Sequence, residues 1–260
     1  MTNLLGKNAF ITGALGLLGI EHCNAILEKN GNVFALDKKD INQNLKSLIK
    51  KYPKKITYFQ IDITKENLLR RLINRLKIQN VSIDILINNA ALNPKVTRSK
   101  KTNTFENFSE DLWNNEISVG LLGSVLCTKY FGSEMIKKKS GKIINISSDL
   151  GIIGPFQKLY KQGVEKPLTY SIIKHGIIGL TKYTAATWGK FGININCLCP
   201  GGVEESKMDK NFLKKIKYLI PQGRMAKKDE YKGIIQFLSS DQSSYFNGSI
   251  IVADGGRTII

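Results

Sequence analysis

Several residue types are scarce in this chain, and each scarcity narrows what the chain can be. Its 260 residues include four cysteines, Cys23, Cys127, Cys197 and Cys199, with no Cys-x-x-Cys pair. Neither a disulfide framework nor a zinc ribbon is therefore spelled out. Cys197 and Cys199 read as strand core positions on alternate faces. Two histidines are too few for a histidine-based centre, so no metal is expected. No apolar run reaches the roughly 18 residues of a membrane span. The first ten residues enter an apolar strand without the charged region and cleavage site of a signal peptide. The expectation is a soluble cytoplasmic protein without disulfides, metal or membrane.

Acidic residues are scarce too. With 39 Lys and Arg against 21 Asp and Glu, the formal charge is 39 − 21 = +18. That raises nucleic acid, acidic membrane and anionic small molecules as partners. Arginine, however, supplies only six of the 39 cations, and readers of phosphates and bases lean on its bidentate fork. The 33 lysines accompany 34 isoleucines and 22 asparagines, the signature of a compositional bias. The lysine runs at 50–55 and 137–139 fall at predicted helix ends, where cations complement the helix dipole. The charge is read as mainly solvated surface, with no nucleic-acid partner.

Short apolar runs alternate with longer helical patterns along the whole chain. Strands are predicted at Asn8–Thr12, Asn32–Leu36, Ile56–Ile61, Ile83–Asn88, Gly141–Ser147, Ile193–Cys199 and Ser249–Val252. Helices are predicted at Leu17–Asn30, Ile41–Tyr52, Lys65–Asn80, Ser109–Lys138, Thr169–Phe191, Lys207–Leu219 and Glu230–Ser239. The runs are apolar on both faces, as in a buried parallel sheet. The fold class is α/β: a single Rossmann-type, doubly wound domain over 1–260, with a seven-stranded, mostly parallel sheet and helices on both faces. The segments 90–108, 148–168 and 200–222 are long for connections and follow strands, so they belong on the ligand side.

Three patterns carry chemistry. Gly13, Gly16 and Gly19 stand between a strand and a helix, where glycines permit a tight turn, close approach of a pyrophosphate and close helix packing. Asp37 ends the second strand, where a carboxylate accepts from a ribose 2′-OH and repels a 2′-phosphate. NAD is favoured over NADP, with Lys38 and Lys39 beside it softening the preference. Asp62 ends the third strand, where it can cap the next helix, contact the adenine, or do both. Tyr170 and Lys174, four apart, share a helix face. A nearby ammonium there lowers the phenol pKa and makes it a usable acid and base. Ser147 and Ser148, at the end of the fifth strand, offer a hydroxyl to a substrate oxygen.

With Asn88-Asn89-Ala90-Ala91, Pro200-Gly201-Gly202 and the terminal Val252-Ala253-Asp254-Gly255-Gly256, these motifs make the chain resemble a short-chain dehydrogenase/reductase over its whole length. The resemblance implies Tyr170 as acid and base, Lys174 as its partner and ribose ligand, and Ser148 as holder of the substrate oxygen. It implies cofactor contacts at Leu15, Leu17, Leu18, Ile63, Asn89, Ala90, Pro200, Gly201 and Val203, and a homodimer or homotetramer. Four departures stand out. The glycine spacing is that of the extended branch. Gly120 replaces the usual relay asparagine. Glu204, Glu205 and Ser206 replace a threonine after Pro200-Gly201. The interval from Ser148 to Tyr170 is enlarged. The last, with Gly120 and the 241–248 stretch, is similar to the flagellin modification protein A subgroup and implies a sugar-like substrate in surface-glycan synthesis. Segment 148–168 is then an enlarged substrate loop and 200–222 a lid region. Lys158, Lys161 and Lys166 are candidate holders of a substrate phosphate or carboxylate, or simply solvated loop residues. The alternatives are the same chemistry on a 3-oxoacyl thioester or polyol, and a non-catalytic nucleotide- or nucleic-acid-binding module.

Overall fold

The computed structural model describes residues 2–92, 105–160 and 164–260. Seven strands form one sheet: β1 (Asn8–Thr12), β2 (Asn32–Asp37), β3 (Ile56–Gln60), β4 (Ile85–Asn88), β5 (Gly141–Ile146), β6 (Ile193–Pro200) and β7 (Ile250–Ala253). Their order is β3-β2-β1-β4-β5-β6-β7, and every pairing is parallel. All seven predicted strands are present. The order reverses beside β1, so the carboxyl ends of β1 and β4 flank a crevice suited to a ligand.

Helices cover both faces. Helices α1 (Leu17–Leu27), α2 (Gln43–Lys51) and α8 (Lys232–Leu238) bury Ile20, Ile26, Leu45, Ile235 and Leu238 against one face. On the other, α3 (Glu66–Ile78), α5 (Gly123–Lys138) and α6 (Leu168–Trp188) bury Leu69, Leu72, Leu126, Phe131 and Ala185. Asn42 caps α2 by accepting from Leu45 N at 3.0 Å. Gly16 begins α1 with no side-chain cap, which leaves first-turn N–H groups for a ligand.

Three expectations need correction. The helix predicted over Ser109–Lys138 is α4 (Glu110–Ile117), a five-residue π turn (Ser118–Leu122) and α5. The turn contains Gly120, and the Ser124 hydroxyl donates to the Gly120 carbonyl at 3.1 Å. Cys197 and Cys199 lie on one face, 3.9 Å apart at sulfur, because strand side chains repeat with a period of two. Asp62 does not cap α3, whose N-cap is Lys65; it accepts from Thr64 N and Oγ1 at 2.9 and 2.7 Å.

Among its described residues, segment 148–168 holds two short turns, Asp149–Gly151 and Gln157–Leu159. Leu159 packs with Ile216, Ile220 and Met225, and Tyr160 lies 5.8 Å from Phe212 between ring centroids. Residues 158–160 therefore rest on α7 (Lys210–Tyr218).

Candidate active site

A groove of about 520 Å³ runs along the carboxyl ends of β1, β2 and β4. Gly13, Leu15, Gly16, Leu17 and Leu18 line its floor, Asp37, Asp62 and Ile63 its far end, and Asn89 and Ala90 its near side. The glycines are required by contact. A Cβ at Gly13 would lie 2.8 Å from Ala90 Cα, and one at Gly19 2.1 Å from the Gly13 carbonyl oxygen. Gly13 also has a φ of +62°. Gly19 thus serves packing and does not line the groove.

The rim is tied together by polar bonds. Asn89 Nδ2 donates to the carbonyls of Thr12 and Gly13 at 3.0 and 3.1 Å. Asp37 accepts from Leu15 N at 3.2 Å and from Lys39 N at 3.1 Å. At Asp62 burial opposes ionisation, but the bonds from Thr64 and the charges of Lys38 and Lys65 hold its pKa below the usual range. Uncapped helix N–H groups, glycines that admit close approach and a carboxylate at the ribose end together fit a dinucleotide.

The groove shares Leu17, Leu18 and Asn89 with a second cleft of about 290 Å³. Ser148, Tyr170, Lys174, Pro200, Gly201 and Val203 line that cleft. Tyr170 and Lys174 lie one turn apart near the start of α6, with Lys174 Nζ 5.7 Å from the centroid of the Tyr170 ring. Ser148 follows β5 and donates to Asp149 Oδ1 at 2.7 Å. Apart from Gly19, the catalytic and cofactor residues singled out in sequence thus line one continuous depression.

The electrostatics differ from expectation. Lys174 is buried and donates to the Ile146 carbonyl at 2.9 Å; burial pushes its pKa down to about 8. Burial raises the Tyr170 pKa, with Asp149 and Tyr160 adding to the rise and a hydrogen bond with Ser148 opposing it. The space expected for a relay asparagine is filled: a Cβ at Gly120 would lie 2.8 Å from Ile173 Cγ2.

Of the three loop lysines, Lys166 alone is seen at the cleft. Its Nζ stands 3.8 Å from the centroid of the Tyr170 ring. Burial lowers its pKa to about 8 against the pull of Asp149. Lys158 is exposed and lies instead along the α7 side; Lys161 lies outside the described residues. Sequence reasoning missed Asp149 and Arg257, which form a buried ion pair. The available signals were an acid directly after Ser148 and an arginine in a chain with few. It also missed a buried chain of amides: Asn88 Nδ2 donates to Thr128 and Asn145 at 2.9 and 2.8 Å. Asn145 in turn donates to Thr181 at 2.9 Å.

A dinucleotide groove opening onto a Ser–Tyr–Lys cleft defines a Rossmann-fold oxidoreductase. A family model described as enoyl-(acyl carrier protein) reductase matches residues 18–258. A 2-dehydro-3-deoxy-D-gluconate 5-dehydrogenase of Bacillus subtilis is 30% identical, over 98% of this chain and 95% of its own. A short chain dehydrogenase from Leptospira borgpetersenii, solved with bound NAD+, superposes with a TM-score of 0.87 at 28% identity, covering 98% of this chain and 94% of that one. A gluconate 5-dehydrogenase from Burkholderia cenocepacia, in complex with NADP and tartrate, gives 0.87 at 25% identity over 100% and 98%. The chain belongs to the short-chain dehydrogenase/reductase family of NAD(P)-dependent oxidoreductases. The reading as a non-catalytic binding module is thereby set aside. Among the described residues no helix is long and apolar enough to cross a membrane.

Proposed function

We propose that the chain transfers a hydride between NAD(H) and a secondary alcohol or ketone of a sugar-like substrate. The observation that carries this reading is the meeting of Ser148, Tyr170 and Lys174 at the mouth of the nucleotide groove. A bound nicotinamide supplies or accepts the hydride; the residues of the chain handle the proton. In reduction, the Tyr170 phenol gives its proton to the substrate oxygen as the carbon gains hydride, and in oxidation the flow reverses. Ser148 holds that oxygen, and Lys174 favours the phenolate as it forms. Groove residues Leu15, Leu17, Leu18, Asp62, Ile63, Asn89 and Ala90 bind the dinucleotide, with Pro200, Gly201 and Val203 beside the nicotinamide.

NAD is the preferred cofactor, because the Asp37 carboxylate stands where a 2′-phosphate would be repelled. A sugar-like substrate accords with the sugar-acid dehydrogenases among the similar proteins. It also accords with the resemblance to the flagellin modification protein A subgroup, which sets the reaction in cytoplasmic synthesis of a surface sugar. Exposed Leu112, Leu122, Val125 and Ile172 on and beside α4, α5 and α6 support a homodimer or homotetramer. Segments 148–168 and 200–222 serve as substrate loop and lid.

The test is Tyr170→Phe. Oxidation of NADH by keto sugars should be lost while NADH binding, read by fluorescence, persists. Turnover like the wild type would refute the role. Faster turnover of a 3-oxoacyl thioester than of any keto sugar would move the substrate class to acyl reduction.

A further inference from the structure

The cleft holds two cations that proton and hydride transfer do not use. Lys166, on the segment leading into α6, lies over the Tyr170 ring. Its backbone N–H donates to Gln157 Oε1 at 2.9 Å, tying the end of the segment to its middle. Arg257 reaches the same cleft from the chain end beyond β7. Its approach is fixed by Asp254, which accepts from Gly256 N at 2.9 Å and Thr258 N at 2.8 Å. One guanidinium nitrogen of Arg257 bonds Asp149 Oδ2. The other Asp149 oxygen is engaged by Ser148 Oγ and Leu150 N.

The lining therefore sets three cations, buried Lys174 and Arg257 and half-buried Lys166, against one buried carboxylate, Asp149. Glu205 stands exposed at the rim. Glu116 also acts on Lys166, but it is bonded to Thr169 and does not line the cleft. An excess of positive charge along a cleft raises the local concentration of anionic ligands. A guanidinium beside an ammonium is the donor set that carboxylates and phosphates take.

We propose that the substrate carries an anionic group, a carboxylate or a phosphate, held between Lys166 and Arg257 against the Tyr170 ring. Hydride transfer then occurs at a carbon set apart from that group by the distance to the Tyr170 hydroxyl. This inference rests on the cleft being the substrate site. It adds the charge of the substrate to that reading.

Calorimetric titration of the NADH-saturated protein with D-gluconate, D-glucose 6-phosphate and neutral D-glucitol tests it. At least one anion should bind about tenfold or more tightly than D-glucitol; the tighter of the two identifies carboxylate or phosphate. Lys166→Gln should lose most of that preference, and Lys166→Arg should keep it. Arg257→Gln alone strands a buried carboxylate, so the charge-free pair Asp149→Asn/Arg257→Gln is measured beside it and should lose the preference as well. Equal affinity for anions and D-glucitol, no binding of either anion, or a full preference in Lys166→Gln overturns the proposal. NADH oxidation by neutral and anionic carbonyls at equal rates sinks the inference and leaves the oxidoreductase reading standing. An anion preference carried by Lys166, with no NADH oxidation by any carbonyl, does the reverse.

Discussion

Placing an asparagine at position 120 tests whether the relay position is structurally closed. A Cβ there lies 2.8 Å from Ile173 Cγ2 and 3.2 Å from its Cδ1. Ile173 is 3% exposed and β-branched, so its χ1 is held to essentially one rotamer in a helix. Gly120→Asn must therefore displace Ile173 or α6. Such overpacking costs about 1–3 kcal/mol, against which the better helix propensity of Asn returns a few tenths. The expected fall in melting temperature is roughly 2–8 °C for a chain of this size. Ile173→Ala alone opens a cavity and costs about 2–5 kcal/mol. In the double variant the asparagine occupies part of that cavity. Its cost should fall short of the sum of the singles by about 1 kcal/mol or more. Urea unfolding of all four proteins gives the cycle, and kcat measured alongside should drop in Gly120→Asn because α6 carries Tyr170 and Lys174. Undiminished stability in Gly120→Asn, or strictly additive singles, would refute the reasoning.

Two further outcomes are expected. Asp37→Ser should lower the ratio of kcat/KM for NAD over NADP by about tenfold or more, since it removes a charged hydrogen bond worth roughly 1.5–3 kcal/mol and leaves Lys38 and Lys39 to favour a phosphate; an unchanged ratio would count against the cofactor assignment. His22 is fully buried with neither ring nitrogen bonded, and burial lowers its pKa from 6.5 to about 3. Below pH 6.5 the unfolded chain takes up a proton that the folded chain refuses, so stability falls as pH falls. The loss should reach about 2–3 kcal/mol by pH 4.5, and His22→Leu should remove that part of the acid slope; an identical slope in the variant would exclude His22 as its source.

What could be read from sequence depended on how local its cause was. The strands were legible because Ala9–Ile11 or Ile85–Ile87 are buried on both faces and apolar without interruption. The phosphate turn was legible because Gly13, Gly16 and Gly19 answer to contacts within one βα unit. Asp149 and Arg257 were not, because they are 108 residues apart and meet only when β7 delivers the chain end to the cleft. The net rise of the Tyr170 pKa was not legible for a related reason. Spacing places Lys174 on the right face, but whether its ammonium reaches the phenol or a carbonyl depends on what the neighbouring strand offers. The +18 charge was misleading in scale, since only a few cations line the cleft.

The filling of the Gly120 space bears on how the site is held. Where an asparagine on the α4–α5 side is absent, the geometry of α6 must be referenced to something else, and β5 supplies it. The Ser147 hydroxyl donates to the Lys174 carbonyl at 2.7 Å, and Lys174 Nζ returns a bond to the Ile146 carbonyl. Strand and helix are thus stitched reciprocally at the point where Ser148 leaves the sheet. Gly151 permits the contact: a Cβ there would lie 2.4 Å from Ser147 Oγ and 2.9 Å from the Lys174 carbonyl oxygen. Two buried bonds at one crossing fix both the rotation and the translation of α6 relative to β5. Ser148, Tyr170 and Lys174 therefore have part of their mutual placement set by these bonds to the end of β5.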